Sequence, residues 1–205
     1  AALHLDARAL DLVLHALAAS GVLVRDGDGL FALTADLAPV LDPRGGQTMA
    51  SILDHHFHLL DRWVRLADVL RSGRPAADEQ RTGAALHAFI GGMKDISVRS
   101  SVDAADLLPE FGQCCSLLDV GGGPGTAAIT FCQRWPRLTA VVFDLPDVVA
   151  IAQEEIGAAG LQTRIITRAG DFDRDDFLRP GEAPFDAVYI SNIIHSLDPA
   201  ATRAL

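Results

Sequence analysis

Four short stretches in the second half of the chain carry side chains that could hold or react with a small molecule. The first is Asp119-Val-Gly121-Gly122-Gly123-Pro124-Gly125. Glycines let the backbone turn sharply and let a ligand come closer than a Cβ would permit. A dinucleotide fingerprint wants glycines at relative positions one, three and six, and a phosphate-binding P-loop needs Gly-Lys-Ser/Thr. Counted from Gly121 the sixth position is Thr126, and no lysine follows, so neither pattern is met. The remaining pattern, D-x-G-x-G-x-G, sets the acid Asp119 before the glycines, where it suits an ammonium group and repels a pyrophosphate. The second stretch, Val-Val-Phe143-Asp144-Leu145-Pro146, places Asp144 21 residues after Gly123. An acid at about that distance (~20 residues) accepts hydrogen bonds from ribose hydroxyls. The third, Gly170-Asp171-Phe172, offers a carboxylate for an adenine amino group and a ring to stack on it. The fourth ends in His195, which on spacing alone is either a proton acceptor or a histidine packed against the next helix. An ammonium end, a ribose and a purine without phosphate describe S-adenosylmethionine. Each stretch alone also reads as a turn or a helix cap; their succession in one order is the informative feature.

These residues need a scaffold that brings them to one edge. Short apolar, partly β-branched runs cover Ser116–Val120, Leu138–Asp144, Thr163–Thr167 and Phe185–Ser191. Between the first three lie helical stretches, Gly125–Trp135 and Asp147–Ala159, stopped by Pro136 and Gly160. Strands alternating with helices predict an α/β fold with a parallel sheet, whose ligands sit at the carboxyl ends of the strands. All four stretches fall there.

Before residue 112 the pattern is helical. Leu10, Val13, Leu14 and Leu17 share one face of a helix from Asp6 to Ala19, stopped by Gly21. Gly27-Asp28-Gly29 is turn chemistry joining strands Val22–Arg25 and Leu30–Leu33. Helix followed by hairpin is winged-helix-like. Residues 1–40 hold only Arg8 and Arg25 against five aspartates, which argues against a DNA-reading role and favours scaffold or dimerisation. A long helix is predicted over Thr48 to Leu70, another over Thr82 to Ile96, and a short one around Val102 to Phe111. Asp54-His55-His56-Phe57-His58 has helical spacing for a metal, but nothing nearby completes a ligand set, and no metal is expected. Phe57, Trp63, Phe89 and Met93 are apolar candidates for lining an aromatic pocket, although helix core residues look the same.

The composition agrees with a globular protein: 205 residues, 49% hydrophobic, with 27 acidic against 17 basic side chains. A formal net charge of −10 argues against nucleic acid or anionic lipid as the main partner. No run approaches the roughly 20 apolar residues of a membrane span, and no secretory signal is visible. Cys114, Cys115 and Cys132 form neither metal spacing nor an even disulfide set, so a reducing cytoplasm is expected.

The runs Leu117-Leu-Asp-Val-Gly-Gly-Gly-Pro-Gly-Thr126, Phe143-Asp-Leu-Pro146, Gly170-Asp-Phe172 and Ser191-Asn-Ile-Ile-His195 resemble the small-molecule O-methyltransferases. The group meant is the plant caffeate-type and bacterial polyketide-tailoring one, and Phe89-x-x-x-Met93-x-x-x-Ser97 matches its helix bordering cofactor and substrate. The resemblance covers nearly the whole chain. It implies a helical winged-helix-like dimerisation and substrate-lining domain over residues 1–111 and a Rossmann-like domain over 112–205 binding S-adenosylmethionine, with S-adenosylhomocysteine as product. It adds Ser97, Leu145 and Ser191 to the cofactor-binding residues Asp119, Gly121, Gly122, Gly123, Gly125, Asp144, Gly170, Asp171 and Phe172. It adds Asn192 to the substrate side, makes His195 the general base, and implies a homodimer acting on a hydroxylated aromatic or polyketide-type molecule. The family's His-Asp-Trp is here His195-Ser196-Leu197, which puts the substrate-orienting contacts in question more than the base. That departure keeps open relatives that bind the cofactor but decarboxylate or hydroxylate; a non-catalytic winged-helix regulator is the remaining alternative. The family's sheet has further strands and an orienting glutamate beyond the position of Leu205, so the resemblance also implies a longer protein.

Overall fold

A computed structural model describes residues 4–42, 44, 48–74, 83–197 and 199–205. Among the described residues the larger sheet has four parallel strands, β3 (Ser116–Val120), β4 (Thr139–Asp144), β5 (Ile165–Ala169) and β6 (Ala187–Ile190), in the order β5-β4-β3-β6. The chain steps outward from β3 to β4 to β5 and then crosses back to the far side of β3. The order therefore reverses at β3, and the crevice above its carboxyl end is where such sheets bind ligands. Asp186 ties the start of β6 to the start of β3, its Oδ2 accepting from the backbone N–H of Cys115 at 2.7 Å and of Ser116 at 3.0 Å. These two N–H bonds hold its carboxyl below the usual range.

Helices α6 (Thr126–Arg134) and α7 (Pro146–Ala158) follow β3 and β4. Proline at the first position and Asp147 in the first turn suit the start of α7. Leu117, Phe131, Cys132, Leu138 and Val142 form a fully buried core on one side of the sheet. Leu118, Val120, Val141 and Phe143 pack on the other against Phe172, Phe177, Phe185, Ile190 and Leu205.

The amino-terminal half contains α1 (Ala7–Ala19), capped by Asp6, and an antiparallel hairpin of β1 (Leu23–Arg25) and β2 (Phe31–Leu33). A short α2 (Ala38–Leu41) leads to α3 (Ala50–Trp63), α4 (Leu66–Ser72) and α5 (Gly83–Leu107). Two expectations are corrected here. The helix predicted over 48–70 closes at Trp63: the Val64 and Arg65 N–H groups bond back to Leu60 and Arg62, the second a tightened i→i+3 bond. Conversely, the helices predicted over 82–96 and 102–111 are one continuous α5, followed by a 3₁₀ turn over Pro109–Gln113. The Ser97-Val-Arg-Ser-Ser101 stretch does not break it, because Ser100 returns its hydroxyl to the carbonyls of Ile96 and Ser97 and Ser101 is buried. Thr82, where the second of these helices was predicted to start, lies outside the described residues.

Helix α5 joins the two halves. Its Lys94 Nζ lies 2.6 Å from Glu155 Oε2 of α7. Asp95 Oδ2 accepts from the Ile52 N–H at 3.2 Å, satisfying a donor in the first turn of α3 that its N-cap residue Met49 cannot. The crossing of α3 and α5 is close because Gly91 and Gly92 carry no side chain. A Cβ on Gly92 would stand 3.3 Å from Ile52 Cα and from the Ser51 carbonyl oxygen, which are backbone atoms that move only with the helix. Gly92→Val is expected to lower stability by about 1–3 kcal/mol, the usual cost of overpacking, measured as a shift of the urea midpoint. An unchanged midpoint would show that α3 is not seated this way.

Candidate functional site

The three βα corners and the segment after β6 open onto one cavity of about 690 Å³. At the first corner Gly121 has φ +63°, and a Cβ there would collide with the Ile193 side chain. At Gly122 a Cβ would come within 2.8 Å of the Asp119 carboxyl and 2.9 Å of Val142. Gly123 also lies in the left-handed region, with open space where a side chain would point. Gly125, with φ +79°, does not line the cavity; it is the N-cap of α6. The loop is thus closed on its inner side by protein and open on its outer side to a ligand.

Asp144 ends β4. Its Oδ2 accepts from the Gly123 N–H at 2.8 Å and its Oδ1 from the Leu145 N–H at 2.7 Å. Burial pushes its carboxyl up and these two donors pull it down. A carboxylate has about four acceptor sites, so the anchored side chain keeps capacity for a ligand diol. After β5, Gly170 sits against the Phe143 ring with no room for a Cβ. Asp171 shapes the next turn, Oδ1 accepting from the Asp173 N–H at 3.0 Å, and Phe172 lies between the cavity and the core. The segment from 171 to 186 is held from below by Arg168, which is 7% exposed, donates to the Phe177 carbonyl and pairs both terminal nitrogens with Glu182 at 2.7 and 3.0 Å.

Asp119 is 2% exposed, and its Oδ2 has no hydrogen-bond partner within the protein. Burial pushes its carboxyl up to about 7; a bond from the Ala128 N–H in the first turn of α6 opposes the shift, and the Asp144 charge adds to it. Asp119 lines a side chamber of about 30 Å³ with Ser97, Ser101, Thr126, Tyr189 and Ser191. Ser97, Gly121, Gly122 and Ser191 border both chamber and cavity, so the two adjoin.

The fourth wall is α5, which presents Leu86, Phe89, Ile90, Met93 and Ser97. Of these, Leu86 and Ile90 were not expected from the sequence, although they complete the helical stripe of Phe89, Met93 and Ser97. Ser101, Thr126 and Tyr189 were also missed; Ser101 continues the spacing of Phe89, Met93 and Ser97 by four residues, a signal that could have found it, whereas nothing local marks Thr126 or Tyr189. Asn192 lines the rim with φ +57°, the left-handed region that asparagine tolerates better than most residues. Phe57 and Trp63 do not line the cavity, being 68% and 66% exposed. The face of α3 turned to α5 is Ser51, Ile52 and His55, and the stripe carrying Phe57 points elsewhere. His55 packs on Phe89 with ring centroids 5.2 Å apart, and the side chain of His58 lies outside the described residues. His195 is exposed in a 3₁₀ turn, Ile194–Ser196, just after cavity-lining Ile193, and is not itself among the lining residues.

The electrostatic character is one-sided. Among the described residues, the cavity is lined by Asp144, Asp147, Asp171 and Asp173 and by no lysine, arginine or histidine. Such a lining favours a cationic ligand and disfavours a phosphorylated one. Among the described residues, no helix is long and apolar enough to cross a membrane.

Comparison with known proteins agrees with this geometry. The O-methyltransferase domain family matches residues 64–205. The 3-hydroxy-5-methyl-1-naphthoate 3-O-methyltransferase of Streptomyces sahachiroi is 30% identical over 215 residues, covering 99% of this chain and 59% of the relative. The tetracenomycin polyketide synthesis 8-O-methyl transferase TcmO of Streptomyces glaucescens is 27% identical, covering 89% of this chain and 54% of the relative. An O-methyltransferase family protein from Burkholderia thailandensis superposes with a TM-score of 0.82 at 29% identity, covering 96% of this chain and 59% of that structure. The chain therefore spans little more than half the length of these relatives.

The buried Asp119 has a consequence for stability. A carboxyl raised in the folded state favours folding at low pH, and that contribution is lost as pH rises from about 4 to about 7. Asp119→Asn is therefore expected to raise Tm in ligand-free protein at about pH 7.5 and to change it little near pH 4. A lowered Tm at the higher pH would contradict the assignment of an uncompensated buried carboxyl.

Proposed function

The chain belongs to the O-methyltransferase family, and from that premise we propose that it binds S-adenosylmethionine in the strand-end cavity and supports methyl transfer to a hydroxyl of an aromatic or polyketide-type small molecule. The observation that carries this reading is the single cavity reached by three strand ends, rich in carboxylates and without a cationic side chain among its described lining residues. The ligand's size, its sulfonium and ammonium charges and its lack of phosphate fit that cavity. In this reading Asp144 accepts the ribose hydroxyls, Asp171 faces the adenine amino group, Phe172 offers its ring, and Asp119 faces the amine. Gly121, Gly122, Gly123 and Gly170 allow close approach, and Ser97, Leu145 and Ser191 complete the wall.

When bound, S-adenosylmethionine supplies a methyl group already activated by the positive sulfur. The protein then has to align the acceptor oxygen, exclude water and receive a proton. Phe89 and Met93 supply an apolar wall for an aromatic ring, and Asn192 a polar group at the rim. A phenol has a pKa near ~10 and an imidazole near ~6.5, so His195 can take the hydroxyl proton as the oxygen attacks. Its position just beyond cavity-lining Ile193, at the same edge of the sheet, supports that role. Alignment accounts for roughly 7–11 kcal/mol of such a barrier and a placed base for about 10²–10⁴-fold in rate. The acceptors in the names of the two Streptomyces relatives support an aromatic polyketide-type substrate.

We further read residues 1–111 as a winged-helix-like dimerisation and substrate-lining unit and 112–205 as the cofactor-binding unit. The helix-and-hairpin order of α1, β1 and β2 supports the first, and exposed Leu53, Phe57, Leu60 and Trp63 on α3 support a homodimer. Free Cys114, Cys115 and Cys132 support a reducing, cytoplasmic setting.

S-adenosylhomocysteine should bind with 1:1 stoichiometry by calorimetry, and Asp144→Ala should weaken it about tenfold or more, the loss of charge-assisted bonds. His195→Ala should leave that affinity unchanged and lower turnover of the full-length enzyme by about 10²–10⁴-fold. Unchanged turnover would remove His195 as the base, and a product mass gain other than one methyl would remove methyl transfer.

A further inference from the structure

Arg168 is a buried cation that the methyl-transfer reading leaves without a task. It pairs in register with Phe143 of β4, so the two side chains stand side by side on one face of the sheet. From there its guanidinium holds the following segment at two points. One terminal nitrogen donates to the Phe177 carbonyl, nine residues on. Both terminal nitrogens meet the Glu182 carboxylate, fourteen residues on, at 3.0 and 2.7 Å. Glu182 Oε2 also accepts from the Arg179 N–H at 2.8 Å. The Phe177 ring stands edge-on to Phe143 with centroids 5.2 Å apart, and the Phe143 ring fills the space that a Cβ on Gly170 would need. Arg168, Phe143, Phe177 and Gly170 thus form one packed unit at the root of the turn carrying Asp171 and Phe172. That turn is closed by reciprocal bonds at 2.8 Å: the Asp175 N–H donates to the Asp171 carbonyl, and Asp175 Oδ2 accepts from the Asp171 N–H.

We propose that Arg168, through Glu182 and Phe177, is a positioning residue that sets the selectivity of the site's nucleoside end for adenine. The inference rests on the S-adenosylmethionine reading and deepens it with residues that do not line the cavity. A guanidinium paired through two parallel bonds has a fixed orientation, which a single ammonium would not impose. What it fixes is the path of the chain from 171 to 182, and with it how Asp171 and Phe172 are presented to the cavity. Stability alone does not account for such a group. The Arg168 Nε is buried without a partner among the described residues, and a buried, incompletely bonded ion pair adds little over a well-packed apolar side chain. A loop held by such bonds before the ligand arrives loses less freedom on binding than one that must settle around it.

The test is calorimetry on the full-length protein with two probes, S-adenosylhomocysteine and its 6-deamino analogue, in which purine replaces adenine. Unaltered protein should prefer the first by about tenfold or more, the worth of a hydrogen bond to a charged acceptor. Arg168→Met keeps the length and apolar packing of the side chain and removes the paired bonds. It should bring that preference down to about threefold or less, weakening S-adenosylhomocysteine more than the analogue. An equal loss for both probes would give Arg168 a structural role only and overturn the proposal. An unchanged preference in the variant, or no preference in unaltered protein, would overturn it too. These three results leave the cofactor reading in place, whereas no binding of S-adenosylhomocysteine to unaltered protein would overturn both. Hydrogen exchange on unaltered protein decides the matter even if the variant does not fold. The amides of Asp171, Arg174, Asp175, Arg179 and Glu182, all hydrogen-bonded, should be protected before ligand is added and gain little from it. Free exchange of these amides that slows only with S-adenosylhomocysteine would overturn the proposal.

Discussion

Asp119 stands where β3 runs out into the glycine loop, and its burial constrains everything around it. Gly122 can carry no side chain because a Cβ would meet the carboxyl at 2.8 Å. Gly121 is likewise closed off by Ile193, which arrives from the opposite side of the order reversal after the left-handed turn at Asn192. The loop backbone is therefore pressed inward from two directions, and its outer surface is what remains for a ligand. Asp144, one strand over, accepts the Gly123 N–H and locks the second corner to the first. Burial of Asp119 with the Asp144 charge nearby disfavours its ionised form in the free protein.

The long helix α5 has a comparable place on the other side of the cavity. It closes the site with an apolar stripe, is tied to α7 by the Lys94–Glu155 pair, and caps α3 through Asp95. Glycine packing at Gly91 and Gly92 brings α3 against its back, and His55 of α3 rests on Phe89, a residue of the cavity wall. The amino-terminal half thus reaches the site through a helix that packs on the sheet, so a boundary drawn near residue 112 separates sequence patterns more cleanly than it separates roles.

Much of the sheet and the site was legible because it depends on local chemistry. Glycines with positive φ, an acid at or just past the end of β3, β4 and β5, and helix stops at Pro136 and Gly160 are all written within a few residues of where they act. The resemblance of Phe89-x-x-x-Met93-x-x-x-Ser97 to the family's helix likewise pointed to the residues that α5 presents to the cavity. What was not legible depends on which face of a helix meets which neighbour. Phe57 and Trp63 have the composition of a pocket wall and sit on the exposed side of α3, while Thr126 and Tyr189 look ordinary and line the chamber. The serine-rich run at 97–101 reads as a helix boundary, yet the hydroxyl of Ser100 bonds back to its own helix and burial of Ser101 keeps α5 continuous. Arg168 with Glu182, which holds the loop carrying Asp171 and Phe172, is a pairing between residues 14 apart that no motif announces.

The most direct test is a high-resolution structure of the protein with S-adenosylhomocysteine bound. The ribose hydroxyls should lie on Asp144, the adenine beside Asp171 and Phe172, and the amine in the hydroxyl-lined chamber against Asp119. A nucleoside seated elsewhere, or an amine directed away from Asp119 into open solvent, would contradict the reading of the strand-end cavity as the S-adenosylmethionine site.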